Sequence, residues 1–262
     1  MNIGGVSYLN AKPLLYGLES RKDISLTLDV PARLLDGLRT GRLDAALLPV
    51  IDYQRMEGLA IIPVGGIGCD GPTLTVRIFS PVPIEQIESL ACDPDSHTSV
   101  ALAQVILAER YGLTPRLGED GAARLLIGDK VVVSEPAGMK YQLDLGAAWK
   151  ELTGLPFVFA VWTARSGFEI GKLGQWLDEA RRQGTAHIDE IVRRDAVGRG
   201  WPAGLAKEYL SSNLKFEIGS RQVSAMELFF KLAAARGIIA SPPRPLRFAG
   251  DPTLLASLSA RG

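Results

Sequence analysis

Apolar and polar positions along this chain follow two rhythms, short extended runs and helical spacings, which replace one another repeatedly. Residues 2–6 and 25–30 read as strands, the second by alternation. Residues 31–40 carry leucines at 34, 35 and 38, a helical spacing that Gly41 stops. Residues 43–48 and 59–64 are apolar runs of strand length. Strand, helix and strand in this order predict an α/β fold with a largely parallel sheet.

The rhythm restarts after the turn Gly68-Cys69-Asp70-Gly71-Pro72. Residues 73–80 look extended, 89–93 form a short strand, and 98–111 form a helix closed by Gly112. Strands are predicted at 125–127 and 131–134, and the unbroken apolar run 155–162 is of the kind buried on both faces. Beyond Gly171 the pattern is helical to about Arg236, and the tail with Pro242, Pro243 and Pro245 reads as an irregular strap. Two extended segments, 73–80 and 157–165, thus bracket a middle unit. A chain that leaves one α/β unit, builds a second and returns makes two lobes. The expectation is lobe one at 1–74 plus 166–262, and lobe two at 75–165, inserted through two crossovers. The ligand belongs in the cleft between them.

Composition narrows the function. With 47% hydrophobic and 22% charged residues in 262, the chain can bury an ordinary core. Its 29 Lys and Arg balance 29 Asp and Glu, so no basic excess recruits nucleic acid. The apolar run 155–162 falls far short of the ~20 residues of a membrane helix, so no membrane partner is expected. Cys69, Cys92, His97 and His187 have no zinc-site spacing, no disulfide framework is expected, and His187 lies in an exposed-looking helical stretch. Nothing at Met1-Asn2-Ile3-Gly4-Gly5-Val6 resembles an export signal, and the expectation is a cytoplasmic protein.

Candidate chemistry gathers where strands end. Ser7 and Asn10 follow the first strand, and each side chain can donate and accept hydrogen bonds; turn and cap chemistry is the plainer reading of the same residues. The run Asp93-Pro94-Asp95-Ser96-His97-Thr98-Ser99 opens a helix. Free amides and hydroxyls there suit a carboxylate, or Ser96 or Thr98 simply caps. Asp129 follows a strand and either faces the cleft or closes the turn. Gly65-Gly66-Ile67-Gly68 lacks a following Lys-Ser/Thr, which argues against a phosphate cradle, and no Ser-His-Asp or Cys-His order can be defended.

The run Val6-Ser7-Tyr8-Leu9-Asn10-Ala11-Lys12-Pro13-Leu14 resembles the opening signature of the chorismate dehydratases of the futalosine route to menaquinone. Similar blocks follow in order at residues 44–50, 97–102, 125–129, 144–146, 153–162 and 209–213. The resemblance implies a two-lobed periplasmic-binding-protein-like fold of type II, with a central cleft used for catalysis and no cofactor. It implies chorismate as the small-molecule substrate, dehydrated to 3-[(1-carboxyvinyl)oxy]benzoate. Its key asparagine falls on Asn10 and its crossover hydroxyl on Thr75, the expected catalytic pair. Ser7, Pro49, Val50, His97, Thr98, Ser99 and Asp129 are the expected substrate contacts. The base is then the substrate's own enolpyruvyl carboxylate, rather than Asp129 or His97. Two other readings share the fold: the sister 1,4-dihydroxy-6-naphthoate synthase, which is expected to use a cleft histidine, and a non-catalytic solute-binding protein or sensor.

Overall fold

The computed structural model describes residues 1–93, 96–133 and 136–250. Their strands form two sheets. The first contains β1 (Asn2–Gly5), β2 (Ser25–Leu28), β3 (Ala45–Pro49), β4 (Leu59–Cys69), β10 (Phe157–Arg165) and β11 (Leu214–Lys215), in the order β11-β4-β10-β3-β1-β2. The second contains β5 (Val76–Ser80), β6 (Ser89–Cys92), β7 (Arg116–Gly118), β8 (Ala123–Ile127) and β9 (Tyr141–Asp144), in the order β7-β6-β8-β5-β9.

Neither sheet is uniformly parallel. β1 runs parallel to β2 and β3, but β10 is antiparallel to both β3 and β4. In the second sheet β6 is parallel to β7 and β8, while β5 opposes β8 and β9. The strands that leave and re-enter each lobe are the ones that run against their neighbours.

The sequence expectation placed 157–165 at the edge of the second lobe. Instead, Phe157–Arg165 lies wholly in the first sheet, between β3 and β4. Its unbroken apolar character comes from a central position covered on both faces. β4 also outruns its expected end at 64 and continues to Cys69, buried throughout. Its glycines look like turn residues in sequence, but they serve close strand contact: a Cβ on Gly66 would lie 2.5 Å from the Ala160 carbonyl. Residues 129–133 form a helical turn, Asp129–Val133, where a strand at 131–134 was expected; Ser134 lies outside the described residues. Three consecutive valines are β-formers, but Gly128, with φ 60°, turns the chain out of β8 just before them.

The outgoing crossover is pinned from the second lobe. The Asp144 carboxylate accepts from the Thr73 and Leu74 amides at 3.0 and 2.8 Å, and from Ala147 N–H at 3.0 Å as the cap of helix Leu145–Thr153. Leu74 is held at φ 67°, a left-handed conformation unfavourable for a branched side chain. Such strain persists only where surrounding contacts over-determine it. Gly146 allows the approach, because a Cβ there would sit 2.5 Å from the Gly71 carbonyl. The helices of the 172–236 region then pack on the first lobe. The proline-bearing tail straps it: Ile61 N–H donates to the Arg247 carbonyl at 2.8 Å, and the Tyr53 hydroxyl to Pro245 at 2.8 Å. No described helix is long and apolar enough to cross a membrane.

Candidate functional site

A pocket opens where the two sheets face each other, and each wall comes from the end of a strand. The loop after β1 supplies Tyr8 and Asn10, the end of β3 supplies Pro49, and the outgoing crossover supplies Thr73 and Thr75. The start of helix His97–Tyr111 supplies Ser96, His97, Thr98 and Ser99. Ile127, Gly128, Phe159 and Ala160 add an apolar floor, and Tyr209 closes one end. Among the described lining residues none is Lys, Arg, Asp or Glu. Concave, mostly apolar and with a few convergent polar groups, it has the form of a small-molecule site.

Asn10 and Thr75 come together around a residue that sequence reasoning left without a role. The Tyr209 hydroxyl shares a 2.7 Å hydrogen bond with Thr75 Oγ1, and both groups are buried. Burial pushes the phenol well above its ordinary range, more than the hydrogen bonds of Thr75 and Asn10 pull it down. It therefore stays protonated at neutral pH and acts as a donor. The Asn10 Oδ1 is buried without a hydrogen-bond partner among the described residues, and so is Ser96 Oγ. Both residues line the pocket. An unpaired buried acceptor is costly in a folded protein, and in a pocket it marks where a ligand completes the bonding.

The helix start divides its roles. Ser99 lines the pocket from the first turn. Thr98 lines it too, but its hydroxyl donates to the Phe159 carbonyl at 3.0 Å and accepts from Ile51 N–H at 3.4 Å. The single hydroxyl proton is spent on backbone, so the expected donation to substrate is corrected to an anchor between the helix and the first sheet. His97 Nδ1 lies 2.9 and 2.8 Å from the two carboxylate oxygens of Asp52, which is fully buried and sits outside the pocket lining. Asp52 was not among the expected residues. Its position at the first turn of Asp52–Arg55, just past β3, looks in sequence like helix capping.

Three expected contacts fall elsewhere. Ser7 is exposed and outside the pocket lining, one residue past Val6, which lines it; its carbonyl accepts from Arg199. Val50 is fully buried in the core, with its N–H on the Phe159 carbonyl at 2.9 Å. Asp129 does not line the pocket; its carboxylate accepts from Trp201 Nε1 at 2.8 Å and Arg199 Nη1 at 3.2 Å. Arg199 Nη2 also donates to the Ser7 carbonyl at 2.6 Å, so these groups clasp the second lobe to the first. Trp201 stacks on Tyr209 at 5.0 Å between centroids, which links the clasp to the pocket. Lys12 points to Asp195 at 3.2 Å. Asp95 and Pro94 of the helix-opening run lie outside the described residues.

Comparison with known proteins follows the same outline. Residues 1–235 match the family model for menaquinone biosynthesis. A chorismate dehydratase of Campylobacter jejuni is 33% identical, over 90% of this chain and 98% of its own length. One from Thermus thermophilus is 29% identical, over 79% of this chain and 86% of its own. A 1,4-dihydroxy-6-naphtoate synthase of Thermus thermophilus is 27% identical, over 79% and 82%. Among solved structures, a protein of Archaeoglobus fulgidus superposes with TM-score 0.72 at 16% identity, over 91% of this chain and 98% of its own. The periplasmic aliphatic sulphonate binding protein of Escherichia coli gives 0.67 at 15%, over 96% and 94%. The fold is the periplasmic-binding-protein-like α/β fold.

Proposed function

The chain belongs to the menaquinone-biosynthesis family, and on that premise we propose that it is a chorismate dehydratase, a hydro-lyase of the cytoplasmic futalosine route. The observation that carries the reading is the junction of Asn10, Thr75 and Tyr209: an uncharged, hydrogen-bonding corner whose buried Asn10 Oδ1 finds no described protein partner.

Chorismate loses the allylic ring proton beside its ether and the neighbouring ring hydroxyl, and the ring becomes aromatic. The proton is vinylogous to the ring carboxylate, so its removal builds negative charge there. Hydrogen-bond donors held ready around that charge lower the barrier. Asn10 and Tyr209 cannot serve as the base, the first being an amide and the second a phenol held protonated by burial. No described lining residue is a carboxylate. The enolpyruvyl carboxylate of the substrate accepts the proton, and the hydroxide departs with that proton as water. Asn10 Oδ1 accepts from the ring hydroxyl and fixes the reacting conformer, a proximity effect. Ser96 Oγ, Ser99 and the first-turn amides of helix His97–Tyr111 receive a carboxylate.

Purified protein incubated with chorismate is expected to yield 3-[(1-carboxyvinyl)oxy]benzoate, resolved by chromatography. Chorismate recovered unchanged refutes the reading. His97 in the cleft is the one feature favouring the naphthoate synthase instead, and the same chromatogram separates the two.

A further inference from the structure

Chorismate is a dianion, and the walls of the pocket hold no Lys or Arg among the described residues. One lining side chain can become cationic, His97. Its Nδ1 is engaged by both oxygens of Asp52, at 2.8 and 2.9 Å, from behind the wall. A carboxylate with no solvent exposure is tolerated only when paired, and His97 Nδ1 and, at 3.4 Å, Arg55 Nη1 are the partners of Asp52 among the described residues. With Nδ1 committed, Nε2 is the nitrogen left for the pocket. Ser96, the preceding residue, lines the same pocket, and its Oγ is buried without a described partner.

We propose that Asp52 is a positioning residue that holds His97 as an imidazolium, and that Nε2–H binds the ring carboxylate of the substrate. This rests on the dehydratase reading and deepens it. The assignment to the ring carboxylate follows from the chemistry: an ion pair on the enolpyruvyl carboxylate would weaken the base. On the ring carboxylate it meets the charge that grows as the proton leaves. Among the described residues, the other charged or titratable groups nearby are Arg55, whose Nη1 is 3.4 Å from Asp52 Oδ1, Asp93, four residues before His97 and paired with Lys130 of the turn Asp129–Val133, and the pocket-lining phenols of Tyr8 and Tyr209.

The pH profile of kcat/KM for chorismate tests this, because the two possible roles of a histidine give opposite signs. A required imidazolium makes kcat/KM fall as pH rises through its ionisation; a histidine base makes it fall as pH drops. In Asp52→Asn the falling limb moves to lower pH, since an opposing charge no longer supports the cation. In His97→Gln the limb disappears and kcat/KM at low pH drops by roughly 10- to 100-fold, the worth of a charge-assisted hydrogen bond. A wild-type profile that rises with pH, or a His97→Gln profile that superposes on wild type, overturns the proposal. Calorimetry with 3-(carboxymethoxy)benzoate, a stable dicarboxylate with the product's ring and ether, separates the two readings. If chorismate is not turned over but this probe binds with the same His97-dependent pH profile, the dehydratase reading fails and the carboxylate site stands. If chorismate is turned over and neither substitution moves the profile, the dehydratase reading stands and this one fails.

Discussion

Among the contacts that join the two lobes, two polar seams are built differently. At the inner seam, Asp52 and the Phe159 carbonyl of the first lobe meet His97 and Thr98 of the second, with Asp52 and Thr98 buried. At the outer seam, Asp129 of the second lobe meets Arg199 and Trp201 of the first, with the Asp129 and Arg199 side chains 22% and 29% exposed. Both are polar, and the His97 side chain is itself 23% exposed, but only the first seam has members, Asp52 and Thr98, that are shielded from water. A buried polar contact is nearly all or nothing, because a lost partner leaves the other group unsatisfied. A half-exposed ion pair can exchange its partner for water at little cost. The buried groups of the inner seam therefore fix the geometry of the pocket wall, whereas the partly exposed ion pair of the outer seam joins the lobes by a contact that water can replace.

The largest expected effect lies between the seams. Asn10→Ala removes the buried carboxamide that touches neither seam, and kcat should fall by about 100-fold or more if its contact tightens in the transition state. Circular dichroism should remain that of the folded protein; a near-normal kcat in a folded variant would remove Asn10 from the active site. Next comes the inner seam itself. Thr98→Val leaves the Phe159 carbonyl and Ile51 amide without their hydroxyl. Unfolding in urea should show a loss of about 1–3 kcal/mol, the penalty of unsatisfied buried groups. If stability holds and only chorismate affinity falls, Thr98 touches substrate after all and the inner seam is not structural.

Much of this was legible in the chain because it rests on local rules. Strand and helix spacings marked most elements to within a few residues, and the ends of β1 and β6 drew attention to Asn10 and the Ser96–Ser99 turn, which line the pocket. What escaped was set by distant partners. Gly66 and Gly68 read as loop because nothing nearby reveals that the β10 backbone crosses them. Asp129 has the right place at a strand end to meet a ligand, but Arg199 and Trp201, some seventy positions away, claim it first. Asp52 looks like a cap until His97 is folded against it. Tyr209 stood inside a recognised block, yet its role depends on Thr75 across the cleft.

The outer clasp yields the smallest effect and the sharpest test of the contrast. Asp129→Asn keeps an oxygen for the Trp201 indole N–H but removes the charge opposite Arg199. For a partly exposed pair this is worth about 0–1 kcal/mol. Stability should therefore change little, and KM for chorismate should rise at most a few-fold, through a looser contact between the lobes. Salt separates this from a substrate contact. At about 1 M ionic strength the screening length shrinks to roughly 3 Å, so the wild type should lose most of its advantage over the variant. Thr98→Val should keep its deficit under the same conditions, since the groups it orphans are buried. A large rise in KM for Asp129→Asn that persists in high salt would mean that Asp129 reaches the substrate directly. The two seams would then differ in position but not in kind.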